Sequence, residues 1–242
     1  MIPPRVLETL GANREITTHS EKILDAVSDL RWHQALRKRT QEARLASVIW
    51  TATTLADRAG LPRCGDLATR VVRADAGDDE RWRLFRPLRA AVEMMDELGG
   101  APNRMPPGMI IMRLIRDSAL QIEDYLPFRR AADLLAASGS GLVRTALAMA
   151  MCISGLDHIP PLKRPRATAL MLAVGKVCAV RSGLEPTGVA VVDDPQASHL
   201  ARRALAGSHT ATIEWCSAVG TMLHTGVLAA EQVCSQVVAG RR

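Results

Sequence analysis

Apolar positions along this chain recur at steps of three and four, the spacing that gathers side chains on one face of an α-helix. Leu84, Phe85, Leu88, Ala91, Val92, Met95 and Leu98 follow that rule. Asp78, Asp79 and Glu80 precede them and Gly99-Gly100 follows. The spacing therefore predicts a helix with acidic residues at its positive end and glycine past its negative end. From Ser20 to about Ala59 a second run passes through Ile23, Leu24, Val27, Leu30, Leu36, Leu45, Val48, Ile49 and Ala52 without a proline, predicting one long helix or two shorter ones. Breakers divide the remainder: Gly60-Leu61-Pro62, Asp75 to Asp79, Gly99 to Gly108, Leu126-Pro127, Gly139-Ser140-Gly141, His158 to Pro165, Gly183 to Asp194 and Ala206-Gly207-Ser208. Only Val189 to Val192 reads as strand-like. The expected fold is all-α, a bundle of about eight to ten helices with no sheet of consequence. The Gly99 to Gly108 loop divides an N-terminal helical region, 1–98, from a C-terminal helical core, 109–242, and is short enough for both to share one compact domain.

Composition narrows the classes of function. At 242 residues and 48% hydrophobic, the chain is long and apolar enough to bury a core, so a disordered protein is not expected. The 31 cations are 4 Lys and 27 Arg against 25 acids, for a net charge of +6, and the arginine skew reads as coding bias. Tyr125, Phe85, Phe128 and four Trp are scattered, so a stacking platform for single-stranded nucleic acid is not expected. The first thirty residues carry Arg5, Glu8, Arg14, Glu15, Glu21 and Lys22 and no apolar leader, which predicts a cytoplasmic protein. The longest uncharged stretch, Trp215 to Ala230, falls short of the roughly 18 to 20 apolar residues of a membrane span. Cys64, Cys152, Cys178, Cys216 and Cys234 form no C-x-x-C pair, so buried thiols are expected rather than a disulfide or zinc framework.

The candidate chemistry is sparse. Gly139-Ser140-Gly141 lacks the preceding strand that a phosphate loop or nucleophile elbow requires, and reads as a turn between helices with Ser140 as N-cap. His19, His33, His158, His199, His209 and His224 have no H-x-x-x-H spacing, so no metal site is expected. Most cationic pairs read as solvated helix faces, because a nucleic-acid footprint concentrates charge on one element. Lys163, Arg164 and Arg166 stand apart at the start of a helix, where cations oppose the macrodipole. Two readings stay open: an anion held by helix amides and side chains together, or a solvated loop whose charges point away.

The stretch from about Leu142 to Val219 resembles the Fic (Fido) family of protein AMPylators. Leu142-Val143-Arg144-Thr145-Ala146-Leu147-Ala148-Met149-Ala150 is similar to that family's helix before its motif loop, and His158 to Arg166 stands where the loop H-P-F-x-x-G-N-G-R stands. Ala167 to Arg181, Gly183-Leu184-Glu185-Pro186 and Ile213-Glu214-Trp215 continue the likeness. The resemblance implies His158 as general base, Lys163, Arg164 and Arg166 at the nucleotide phosphates, and an acidic loop residue for magnesium. Here the loop reads His-Ile-Pro-Pro-Leu-Lys-Arg-Pro-Arg, keeping the first His and the last Arg without Gly-Asn-Gly or an acid. Glycine permits close backbone approach to phosphate, and Pro165 deletes an amide donor. Thr53-Thr54-Leu55-Ala56-Asp57-Arg58 has the spacing of the family's inhibitory motif, with Thr53 and Asp57 as its polar positions. The expectation is a catalytically inactive Fic-like pseudoenzyme without a cofactor or metal, a regulatory or protein-interaction module with a protein partner or as a homodimer. The alternative is a nucleotidyl or phosphoryl transferase using ATP and magnesium through an altered loop.

Overall fold

A computed structural model describes residues 4–61, 80–98 and 105–240. Pro62, Cys64, Asp75 to Asp79, Gly99 to Asn103 and Arg241-Arg242 lie outside the described residues. The chain is all-α, and no strand occurs among the described residues. Its helices are α1 (Pro4–Gly11), α2 (Arg14–Leu30), α3 (Gln34–Lys38), α4 (Thr40–Arg58), α5 (Glu80–Glu93), α6 (Met95–Leu98), α7 (Pro107–Ser118), α8 (Leu126–Ala136), α9 (Gly141–Gly155), α10 (Arg164–Arg181), α11 (Ser198–Leu205) and α12 (His209–Val238), with a 3-10 turn at Pro161–Lys163.

Local chemistry accounts for many of the boundaries. Asn13 caps α2 by accepting from the amides of Glu15 and Ile16, and Ser140 and Ser208 cap α9 and α12 through the amides of Val143 and Ala211. The run from Ser20 to Ala59 contains parts of two long helices, with short α3 between them, capped by His33. The periodic run through Leu84 to Leu98 breaks at Met94, whose amide is shared between the carbonyls of Ala90 and Ala91.

At the centre lies α10, buried at every residue from Ala169 to Val180. Apolar on all sides, it needs neighbours all round, and it packs on α9, α5, α7 and α4. Helices α9 and α10 run antiparallel, with Thr145 hydrogen-bonded to Cys178 across them. Helices α2 and α12 run parallel: Ser217 donates to Glu15 at 2.6 Å, and farther along His33 Nε2 meets Ser235 at 3.3 Å. Trp215 is fully buried and donates from Nε1 to the Ala146 carbonyl at 2.7 Å, tying α12 to α9. Residues of 1–98 and 109–242 belong to one hydrophobic cluster, from Leu7 to Val237. No described helix is long and apolar enough to cross a membrane.

The segment between α10 and α11 departs most from the sequence reading. Val189 to Val192 forms no strand and pairs with none among the described residues, and all four residues are buried. Helices and the preceding turn supply its backbone partners: the Val189 amide donates to the Thr187 hydroxyl and the Ala190 amide to Glu185. The Val191 amide donates to the Gly226 carbonyl of α12 at 3.0 Å, and the Ala190 carbonyl accepts from Lys176 of α10 at 2.6 Å. This strap crosses α12 at Gly226 so closely that a Cβ there would lie 2.1 Å from the Val191 oxygen.

Candidate functional site

The loop joining α9 to α10 holds the residues to which the family resemblance points. His158 is exposed, and its Nε2 lies 3.2 Å from the Gln121 carbonyl oxygen, which fixes Nε2 as the protonated nitrogen. That nitrogen is occupied as a donor and is not available there as a base. Asp157, the adjacent acid, accepts on Oδ1 from Arg202 Nε at 3.0 Å and Nη2 at 2.6 Å. The same hydrogen bonds push the Arg202 pKa up. Asp157 therefore faces a guanidinium, and no group of three or more possible metal ligands occurs among the described residues. The donor set does not fit magnesium chelation.

The three cations separate. Lys163 closes the 3-10 turn and Arg164 opens α10, both exposed, whereas Arg166 is 6% exposed and already engaged inside the fold. Pro165 in the first turn is tolerated because its missing N–H would have no intrahelical partner. Thr53 and Asp57 lie one turn apart on α4, both exposed.

Beneath the strap is a buried ionic cluster that the sequence reading did not single out. Lys176 is 2% exposed and donates to Ser47 Oγ at 3.2 Å as well as to the Ala190 carbonyl. Burial depresses its pKa to about 8, opposed by nearby Glu185. Glu185, fully buried, accepts from the Thr187 hydroxyl and from the Gly188 amide at 3.1 Å. Desolvation drives its pKa up, while Lys176 and these donors oppose the rise. Arg44 of α4 bonds the Thr187 carbonyl at 2.9 Å and Asp96 at 2.6 Å. Gly188 adopts a φ of 72°, turning the chain into the strap where a Cβ would crowd Met95 and Arg44. The cluster thus fastens both the start and the middle of the strap to α4 and α10. One signal was available: Lys176 is the only charge between Arg166 and Arg181 in an otherwise apolar helix.

On the other side of the strap lies a cleft of about 480 Å³. Trp50 and Thr54 of α4 line it, with 191–195 of the strap and α12 from Ala218 to Ala229. Val192 and Gly226 are buried, and Thr221 and Thr225 are exposed. Arg58, one turn beyond Thr54, binds Asp193 at 2.6 Å. None of His158, Lys163, Arg164, Arg166, Thr53 or Asp57 lines this cleft. No family model, curated protein or solved structure matches the chain.

Proposed function

We propose that this chain is a Fic-like helical protein that does not transfer nucleotides and acts as a regulatory or protein-interaction module. The observation that carries the reading is that the acid beside the loop is already engaged within the fold: Asp157 is held by Arg202, while His158 donates from Nε2 to Gln121 and keeps only Nδ1 as a base. Nucleotidyl transfer needs a free base, a cation bridging the phosphates and backbone donors around them. Pro165 supplies no amide, and Arg166 is directed into the fold. The reading requires no cofactor. Incubating the purified chain with labelled ATP, magnesium or manganese, and lysate should give no labelled protein. Robust labelling that disappears in His158→Ala overturns the reading.

Exposed Lys163 and Arg164 at the first turn of α10 favour one second reading, an altered transferase whose side-chain cations replace the amide cradle. Calorimetry with ATP and inorganic diphosphate decides it. Dissociation constants weaker than about 1 mM remove that reading.

A further inference from the structure

We propose that the cleft between α4, the strap and α12 binds a small organic cation, an ammonium group on an apolar body, with the charge against Asp194 and the body against Trp50. The inference stands on this cleft alone and does not depend on the Fic-like reading.

Volume sets the class of occupant. About 480 Å³ falls within the range of small-molecule sites, about 300 to 1,000 Å³, which are mostly apolar with a few placed polar groups. This cleft has that character: Trp50, Val192 and Met222 supply apolar surface, and Thr221 and Thr225 supply hydroxyls on the α12 side. Its floor is preformed, because the Val191 to Gly226 hydrogen bond holds the strap on α12 and Glu185 and Lys176 hold it from beneath.

Charge sets the sign. Among the described residues the only ionisable side chains lining the cleft are Asp193 and Asp194, in a chain whose net charge is +6. Asp193 already has Arg58 as its counter-ion. Asp194 accepts only from the Gln196 amide at 3.0 Å and the Gln196 side chain at 3.2 Å, both neutral donors. Its negative charge therefore has no cationic partner among the described residues. A carboxylate retains capacity beyond two accepted bonds, so a cation can join without displacing Gln196. An anionic ligand would meet two carboxylates, and a wholly apolar one would strip water from Asp194 without replacing it. A cation satisfies Asp194, and Trp50, lining the same cleft, offers an indole to which a cation is attracted. A basic side chain from a protein would carry the same charge, but a cleft of about 480 Å³ walled by three elements has room for a whole small molecule.

The test uses the full chain, with benzyltrimethylammonium as probe, followed by intrinsic tryptophan fluorescence and calorimetry. Choline and its uncharged carbon isostere 3,3-dimethylbutan-1-ol form the matched pair. Saturable binding with a dissociation constant below about 1 mM is expected, weakened at least about tenfold in Asp194→Asn. That substitution keeps an acceptor for the Gln196 amide, and an unchanged thermal transition confirms that the fold is intact. Trp50→Leu should weaken binding similarly, and Asp133→Asn, on an exposed face of α8, should not. Choline should bind at least about tenfold more tightly than the isostere. No saturable binding up to about 10 mM overturns the proposal, as does equal binding of the uncharged isostere or full affinity in Asp194→Asn. Binding of a lysine-rich peptide without binding of either ammonium compound would assign the cleft to a protein partner, and also overturns it.

Discussion

Replacing Gly226 by alanine puts a methyl group where the backbone of the strap already lies. The added carbon would sit 2.1 Å from the Val191 oxygen and 3.0 Å from its carbonyl carbon, against 3.4 to 4 Å for an ordinary contact. Both partners are main chain, so no rotamer change relieves the overlap, and the strap must lift from α12 by more than 1 Å. Two costs follow. Forcing extra volume into a packed site costs about 1 to 3 kcal/mol. Breaking the 3.0 Å Val191 to Gly226 hydrogen bond leaves a buried donor unsatisfied, for about 1 to 3 kcal/mol more. Against these, alanine gains about 1 kcal/mol over glycine within a helix. The net loss is about 3 kcal/mol. Urea denaturation followed by circular dichroism should show it as a midpoint lowered by about 1 M, given a slope of about 2 to 3 kcal/mol/M. Gly108→Ala in α7 is the calibrator, because no atom lies within 4 Å of its added carbon. It should be neutral or stabilising by up to about 1 kcal/mol. A Gly226→Ala protein within about 0.5 kcal/mol of wild type would refute the reasoning, since it would mean that the strap does not approach α12 this closely.

Three further predictions address the core. Lys176 has a folded pKa near 8 and an unfolded value of 10.5, so between these the unfolded chain binds more protons and stability rises with pH. The wild type should gain up to about 3 kcal/mol from pH 8 to 10.5 relative to Lys176→Met/Glu185→Gln, and parallel pH curves for the two would refute this. Comparison with that variant matters because the thiols act oppositely: burial raises the pKa values of Cys178 and Cys234 to about 11, so above pH 9 their ionisation favours the unfolded chain. In a Cys64→Ser protein the four remaining thiols, all buried, should react with Ellman's reagent only after denaturant is added, and rapid native-state modification of more than one would contradict the packing. Trp215→Phe should cost about 2 to 4 kcal/mol by thermal unfolding, through lost volume and the lost Nε1 hydrogen bond to the Ala146 carbonyl; a loss under about 1 kcal/mol would remove Trp215 as the tie between α12 and α9.

Much of the fold was legible because helices are specified by local rules. The three-to-four spacing from Leu84 to Leu98 indicated one helix, which the structure divides at Met94 into α5 and α6, and Ser140 capped α9 where the Gly-Ser-Gly turn indicated. Position along the chain was less informative about chemistry. His158, Lys163, Arg164 and Arg166 are near neighbours in sequence, yet the fold exposes the first three and buries the last. Asp157 meets Arg202 across 45 residues, a pairing that no periodicity encodes.

By itself the sequence determined an all-helical chain, its main breakers and its apolar faces, because each of these depends on residues within a turn or two of one another. The strap and its cleft were decided by tertiary structure alone. Val189 to Val192 has the composition of a strand, but its backbone bonds to Thr187 and Glu185 of the preceding turn and to α10 and α12, and the missing side chain at Gly226 lets it come close to α12. Lys176, Ser47, Glu185 and Ala190 meet beneath that strap from three separate elements, and Trp50 joins Asp193 and Asp194 above it over more than 140 residues. Such meetings depend on how helices pack, which long-range burial decides and local spacing does not.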